Sequence, residues 1–322
     1  MTIDFCAAII ALSLALSSCA PAQKSADISL SADAHAELNF GYYGDERIIK
    51  DFAIDNGYVY ILQRDGTVLK YDNSGNFEEK YDLNLDDQGL TAFRLTCKNG
   101  KMYLLDGHNN AIITAENGDV KNVSALSFSD VGLVKNFYAT ANNTLIMSFT
   151  DIEEAYTAEI DLSKAAAEII GEKRKGYLID ENATYMPKLS DSENNAKQVD
   201  ITVYESGNVT NTFSIAPAES GRSIIGLSIY GVSGGNCFGL LHEFVNPTGA
   251  PEDERYIQTS VNINANDGTI QTSESCLDGD EIIKLSSGGT YCMKISDSSL
   301  TIKPIGEYFS DWQPGDAYII KK

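Results

Sequence analysis

The sequence predicts an all-β chain, a six-bladed β-propeller of four-stranded antiparallel blades preceded by a signal peptide and tether, and three observations lead there. A turn pair followed by an alternating run occurs as Asn56-Gly57-Tyr58-Val59-Tyr60-Ile61, as Asn99-Gly100-Lys101-Met102-Tyr103-Leu104 and as Asn142-Asn143-Thr144-Leu145-Ile146-Met147. The turn residue therefore returns at 57, 100 and 143, a constant step of 43 residues. A unit of that length, made of short strands parted by Gly and Asn turns, is what one propeller blade requires. Within each unit apolar and polar residues alternate, as in Tyr58, Tyr60 and Leu62, which gives a strand one inward face.

Taken in order, the chain opens with an almost wholly apolar run, Phe5 to Leu16, followed by Leu16-Ser17-Ser18-Cys19. A run of about a dozen residues falls short of the roughly 20 needed to cross a bilayer. Its position suits the apolar region of a signal peptide. The four ordered residues resemble the lipobox of bacterial lipoproteins: an aliphatic residue, two small ones, then cysteine. The resemblance implies that residues 1–18 are removed and that Cys19 is diacylated and becomes the N-terminus. The leading Met1-Thr2-Ile3-Asp4 departs from the pattern in carrying no Lys or Arg. Residues 19–36, rich in Ala, Ser and Asp, read as a flexible tether. The expected place is extracytoplasmic, lipid-anchored to the bacterial cell membrane or outer membrane.

Residues 37–322 carry the six blades. Blade 1 reads as Ile48 to Asp55, Tyr58 to Gln63, Thr67 to Tyr71 and Asn76 to Leu83, parted by Asn56-Gly57, Asp65-Gly66 and Asn73-Ser74-Gly75. Such dipeptides supply the positive φ of tight hairpins. Blade 2 keeps the same register, with Gly118 answering Gly75. Blade 3 starts near Val134, with Asp151, Glu153 and Glu154 in a hairpin before a strand at Tyr156 to Asp161. Blade 4 spans about Gly176 to Ala216. Blade 5 runs from Ser223 to Glu274, with a turn at Gly234-Gly235-Asn236 and an insertion from Val245 to Arg255. Blade 6 begins near Glu281 and turns at Gly288-Gly289. A closing strand is to come from Glu37 to Tyr42 or from Ala317 to Lys321, which would remove an exposed sheet edge.

A net charge of −22 on 322 residues argues against nucleic acid as a partner and against direct attraction to an anionic membrane. Membrane contact is expected through the acyl chains instead. Cys97, Cys237, Cys276 and Cys292 match no C-x-x-C spacing, and they leave either one or two disulfides or four buried thiols open.

Asn99-Gly100-Lys101-Met102-Tyr103-Leu104-Leu105-Asp106, followed by Asn109-Asn110-Ala111-Ile112, resembles the NHL-type repeat of six-bladed propellers, and the chain as a whole resembles exported propeller lipoproteins of bacteria. That likeness implies a fold and a compartment; such families include ligand binders, scaffolds and a few enzymes.

Catalytic signals are sparse. His35 falls in the tether, and His108 and His242 would need carboxylates beside them to hold zinc. There is no G-x-S-x-G, phosphate-binding loop or H-E-x-x-H. Asn262-Ile263-Asn264-Ala265-Asn266-Asp267-Gly268 alternates oxygen donors, yet its Gly comes one position late for a calcium loop, so a hairpin is the better reading. No cofactor is expected, with Ca and Zn left open. The rim formed by inter-blade connections is expected to carry Asp86, Asp87, Asp278 and Asp280 together with basic residues. Of these, Arg94, Lys173, Arg174, Lys175 and Arg222, with His242, are the candidate binding residues, suited to a carboxylate or an acidic partner. The loop from Glu243 to Tyr256 is a second candidate contact. The expectation is a membrane-anchored binding or scaffold protein that recognises a protein, peptide or glycan at the rim. The alternative is a metal-dependent lactonase, hydrolase or lyase at the channel mouth.

Overall fold

The computed structural model describes residues 38–127, 134–141, 143–150, 155–179, 182–190, 198–233, 236–245, 256–264, 270–274, 281–286, 289–296, 299–305 and 318–321. The lipobox, the tether, the hairpin at Asp151 to Glu154, Gly234-Gly235, most of the Val245 to Arg255 insertion, Cys276, Asp278 and Asp280 lie outside them.

Six four-stranded antiparallel sheets follow one another along the chain. Blade 1 is Ile49–Asp55, Tyr58–Gln63, Thr67–Asp72 and Phe77–Asp82; blade 2 is Arg94–Lys98, Lys101–Asp106, Ala111–Glu116 and Asp119–Ala125. Blade 3 is Val134–Ala141, Thr144–Thr150, Ala155–Asp161 and Glu168–Lys175; blade 4 is Tyr177–Leu178, Ala183–Leu189, Val199–Glu205 and Asn208–Ile215. Blade 5 is Arg222–Ser233, Asn236–Val245, Tyr256–Asn264 and Ile270–Glu274; blade 6 is Ile282–Ser286, Gly289–Ile295, Ser299–Pro304 and Tyr318–Lys321. Within each blade spatial order equals chain order. The turns that set the repeat are of the mirror-image hairpin kind: Asn56 and Gly57 have φ of 51° and 79°, Asn99 and Gly100 of 53° and 76°.

The ring closes by packing rather than by exchange of a strand. Tyr318–Lys321 pairs with Ser299–Pro304, so the C-terminal of the two candidate segments completes blade 6. The N-terminal segment contributes Leu38 and Phe40, which bury themselves among Phe52, Ile61 and Tyr71 of blade 1 and Met293 and Ile302 of blade 6. Every other seam has its own apolar cluster: Leu62 and Leu85 with Leu95 and Leu104 between blades 1 and 2, Tyr103 and Ile112 with Phe149 and Ile160 between 2 and 3, Tyr185 and Ile201 with Ile229 and Leu241 between 4 and 5, and Phe238 and Leu240 with Cys292 and Ile305 between 5 and 6. At about 1.5–3 kcal/mol for each large apolar side chain fully buried, these seams supply most of the driving force.

The seam between blades 3 and 4, like that between 5 and 6, is thinner, joined by a small cluster of Tyr138, Ile146, Leu178 and Leu285. Hydroxyl groups take up part of the task there. Ser148 Oγ accepts the Leu178 N–H at 2.8 Å and meets Thr157 Oγ1 at 2.9 Å, and Thr157 in turn donates to the Gly176 carbonyl at 2.8 Å. Gly176 has φ of 88°, and a Cβ there would lie 2.3 Å from the Tyr185 carbonyl oxygen, so glycine is required at this crossing.

A second device recurs at separations of 40 to 45 residues: a side chain of one blade accepts a backbone N–H of the next. Asp51 takes Leu95 at 2.6 Å, Asp55 takes Gly100 at 2.9 Å, Tyr103 takes Asn143 at 2.8 Å and Tyr185 takes Ile229 at 3.1 Å. The conspicuous Asp106 is structural in the same way. Fully buried, it accepts the N–H groups of Thr91, His108 and Asn109, the Thr91 hydroxyl and the Asn109 amide. Burial alone pushes its carboxyl up, but these donors override that and hold it below the usual carboxylate value. The Asp and Asn of the repeat phrase thus fasten a hairpin.

Cys97, Cys237 and Cys292 are buried and none of these three forms a disulfide. No helix among the described residues is long and apolar enough to cross a membrane.

Tyr185→Phe leaves the buried Ile229 N–H without its acceptor and is expected to cost about 1–3 kcal/mol, read as a lower urea midpoint at unchanged slope.

Candidate functional site

In an antiparallel blade the first strand begins, the second ends and the third begins at the same end of the sheet. One end of the ring therefore collects the inter-blade connections and the hairpins between second and third strands. At that end lies a cavity of about 840 Å3, lined by every blade. Blade 1 contributes Lys50 and Asp51, blade 2 Phe93 and Arg94, blade 3 Asn136 and blade 4 Tyr177 and Tyr185; Leu227 to Tyr230, Leu240 and Gln258 come from blade 5, and Glu281 to Lys284 from blade 6. The volume is that of a pocket for a small ligand or a short segment of a larger one.

Blade 5 makes one wall taller than the rest. Its innermost strand, Arg222–Ser233, has 12 residues against 5 in Arg94–Lys98 and 5 in Ile282–Ser286. The cavity-lining residues fall near its middle, whereas in the other blades they fall where the innermost strand starts, so blade 5 projects past the mouth. Residues 246–255 lie outside the described set, but they join Asn236–Val245 to Tyr256–Asn264, whose ends meet at Phe244 and Tyr256 on this same side.

The floor of the cavity is ionic. Lys284 and Asp51, both buried, form an ion pair, and Asp51 also holds the Leu95 N–H. The Lys284 ammonium faces the Phe137 ring at 4.7 Å. Burial pulls Lys284 below the usual lysine value; Asp51 opposes that shift and the nearby Arg94 guanidinium adds to it. Glu281 is buried against Lys294 at 3.4 Å, and Lys50 reaches Glu46 at 2.5 Å. Tyr177 and Tyr185 pack with ring centroids 5.3 Å apart on one side.

Of the candidate binding residues, Arg94 lines the mouth. Lys173, Arg174 and Lys175 are not gathered with it. They end the outermost strand of blade 3 and line a separate cleft of about 680 Å3 at the thin seam with blade 4, together with Tyr204, Ser206 and Asn182. Lys173 there lies over the Tyr156 ring at 4.1 Å. Arg222 is engaged by Glu219 at 2.9 Å and by the buried Glu243 at 3.3 Å, and Glu243 also accepts the Ala218 N–H and the Thr259 hydroxyl. That network pins the connection between blades 4 and 5. His242 is half-buried behind the mouth, its Nε2 3.1 Å from the hydroxyl of the lining Ser228, and burial holds it below the usual histidine value. Asp86 and Asp87 stand exposed in a short 3-10 turn between blades 1 and 2. The strands on either side of the Asn262 to Gly268 phrase pair antiparallel, as a hairpin requires. Among the described residues no group of three or more His, Cys, Asp or Glu side chains is placed to hold a metal ion.

Sequence reasoning missed Lys50, Asp51, Asn136, Gln258, Glu281 and Lys284. A signal for three of them was present. The step that relates Gly57 to Gly100 also relates Lys50 to Phe93 to Asn136, and Asp51 to Arg94 to Phe137. Two adjacent repeat positions therefore trace the floor of the mouth through three blades.

No protein-family model matches the chain, and no curated protein matches it. Similar solved structures include Hsv2 from Kluyvelomyces marxianus, 11% identical over 83% of this chain and 74% of that one with a TM-score of 0.43. A putative 6-phosphogluconolactonase from Bacteroides uniformis is 8% identical over 86% of each chain, also at a TM-score of 0.43. BamB from Moraxella catarrhalis is 11% identical over 80% of this chain and 82% of that one, at 0.34. Likenesses this loose say nothing of what the chain binds or does; the strand pairing itself establishes the propeller.

Asp51→Asn strands a buried ammonium and is expected to lower stability by about 3–5 kcal/mol in chemical denaturation. Adding Lys284→Met should recover part of the loss, and a double variant no better than Asp51→Asn alone would show that the two side chains are not coupled.

Proposed function

We propose that the chain is a membrane-anchored extracytoplasmic binding protein, lipidated at Cys19, that engages a protein, peptide or glycan partner at the mouth of its propeller. The observation that carries this reading is a cavity to which all six blades contribute polar and aromatic side chains. Convergence of that kind brings together residues from distant parts of the chain. The aromatic residues Phe93, Tyr177, Tyr185 and Tyr230, set among charged and amide groups, make up the mixture found in binding pockets. The tall wall of blade 5 would guide a partner toward the axis. The address rests on Leu16-Ser17-Ser18-Cys19 and the apolar run before it.

A metal-dependent enzyme at the same mouth finds less support. Its acidic donors would be Asp51 and Glu281, which already hold Lys284 and Lys294, and His242 is turned to Ser228.

Two measurements test the reading. Cys19→Ser is expected to abolish incorporation of radiolabelled palmitate and to shift the protein from the membrane to the soluble fraction; retention of the label would refute the anchor. A photo-crosslinking amino acid at Phe93 should give a discrete adduct in intact cells, while the same group at Asn117, on the opposite end of the ring, should not. Equal labelling from both positions would dissociate binding from the mouth.

A further inference from the structure

We infer that the hairpin formed by Tyr42–Tyr43 and Glu46–Arg47 rests in the headgroup layer of the bilayer that holds the lipid anchor, so that the mouth of the propeller opens close to the membrane surface. This rests on the lipidation at Cys19 proposed above and adds to it a contact made by the protein itself. The observation is where the exposed aromatic side chains lie. Among the described residues seven large hydrophobic side chains are exposed. Val123, Ile170 and Val209 are aliphatic and belong to the outermost strands of blades 2, 3 and 4. The four aromatic ones all lie at the mouth end: Tyr42 and Tyr43 ahead of the first strand of blade 1, Phe93 ahead of the first strand of blade 2, and Tyr256 at the start of the third strand of blade 5.

Tyr42 pairs with Arg47 and Tyr43 with Glu46 across a turn in which Gly44 has φ of 60°. A hairpin this short is not stable by itself. It is fastened to the blades beneath it: the Arg64 guanidinium lies 3.6 Å from the centre of the Tyr43 ring, that of Arg47 lies 5.4 Å from the centre of the Tyr42 ring, and Arg47 Nη1 donates to the Ile295 carbonyl at 2.9 Å. Tyr42 and Tyr43 are thus held in place while 54% and 65% exposed. Side chains already ordered lose little freedom on binding. A phenol has an apolar body and a polar tip, the form that favours the boundary between water and hydrocarbon. Arg47, Arg64 and Lys50, the last joined to Glu46, add long apolar stems that end in charge, which suit the same layer.

What covers this surface follows from the chain that leads to it. The Asn39 N–H donates to Gln63 Oε1 at 3.2 Å, at the end of the second strand of blade 1, so the described chain starts at the mouth end beside the hairpin. Residues 20–37 separate that start from Cys19. A flexible chain of this length, which the composition of the segment predicts, has a root-mean-square span of about 23 Å, and a globular body of this size has a radius of gyration of about 19 Å. On that scale the side from which the tether leaves is the side presented to the bilayer, and the hairpin is kept there at high effective concentration. Attraction to anionic lipid is not the driving force, since a net charge of −22 opposes it. The contact is burial of ring surface in a zwitterionic interface.

The test places the full lipidated chain in phosphatidylcholine vesicles that contain a phosphatidylcholine with a diazirine near its headgroup, and maps the lipid adducts by peptide mass spectrometry after illumination. Adducts are expected to gather on the peptide that holds Tyr42 and Tyr43, at least tenfold above those at Asn117, Val123 and Val209, and to persist as salt is raised. The double variant Tyr42→Ser, Tyr43→Ser should lose that excess and Tyr42→Trp, Tyr43→Trp should keep it, with thermal melts confirming that both are folded; Val123→Ser should leave it intact. Adducts spread evenly over the body or gathered on the outermost strands overturn the inference, as does an excess that survives the serine variant or vanishes in salt. A photo-crosslinking residue at Tyr43 that captures one discrete protein in intact cells assigns the hairpin to a protein partner and also overturns it. The palmitate label reports on the anchor separately: a labelled chain with no adducts at the hairpin refutes this contact and leaves the anchor standing, whereas an unlabelled chain that still takes them there upholds the contact and refutes the anchor.

Discussion

Lys284 and Asp51 meet at the axis of the ring, where burial leaves neither charge any water to turn to. Removing an ion from water costs several kcal/mol, so such a pair contributes little net stability and persists when its geometry is complete. Here it is complete: Asp51 also receives the Leu95 N–H, and the ammonium faces Phe137. One pair thereby brings blades 6, 1, 2 and 3 to a common point. What it supplies is a constraint, since an arrangement that separates blade 6 from blade 1 strands a charge in the interior. The closing seam, which no shared strand bridges, is where that constraint matters most.

Around this point the six seams are built unevenly. Four have large apolar clusters, while those between blades 3 and 4 and between 5 and 6 have small ones, and the former adds a relay of hydroxyls through Ser148 and Thr157. The innermost strand of blade 4 is correspondingly short, Tyr177–Leu178, and the cleft lined by Lys173, Arg174 and Lys175 opens at this seam. Sparse packing and an open cleft have one cause: a two-residue strand has few side chains to present to its neighbour.

The mouth follows from the same geometry. Side chains at the start of an innermost strand have a neighbour blade on each side and the channel in front, so their polar ends project into shared space. Blade 5 departs from the pattern by its length, and the asymmetry it creates gives the mouth a high side. The acids at the floor are engaged with lysines, Asp51 with Lys284 across the closing seam and Glu281 with Lys294 within blade 6. Architecture and electrostatics of the site are therefore two consequences of one set of contacts.

The sequence by itself determined the blade and its repetition. Asn56-Gly57 and Asn99-Gly100 need positive φ, the runs between them alternate with period two, and both are local properties that a turn and its flanking strands express without help. Even in the drifted later units the blade limits near Val134, Gly176, Ser223 and Glu281 were legible from turns and alternation. Only the tertiary structure decided which residues share the mouth, because Lys284 and Asp51 lie 233 residues apart and closure of the ring alone makes them neighbours. For the same reason the basic residues that the sequence grouped were distributed, with Lys173 to Lys175 on an outer strand, Arg222 bound to Glu243 and Arg94 at the axis. Which terminus completes the last blade was likewise decided in the tertiary structure: Leu38 and Phe40 are buried between two blades, and Tyr318–Lys321 takes the edge.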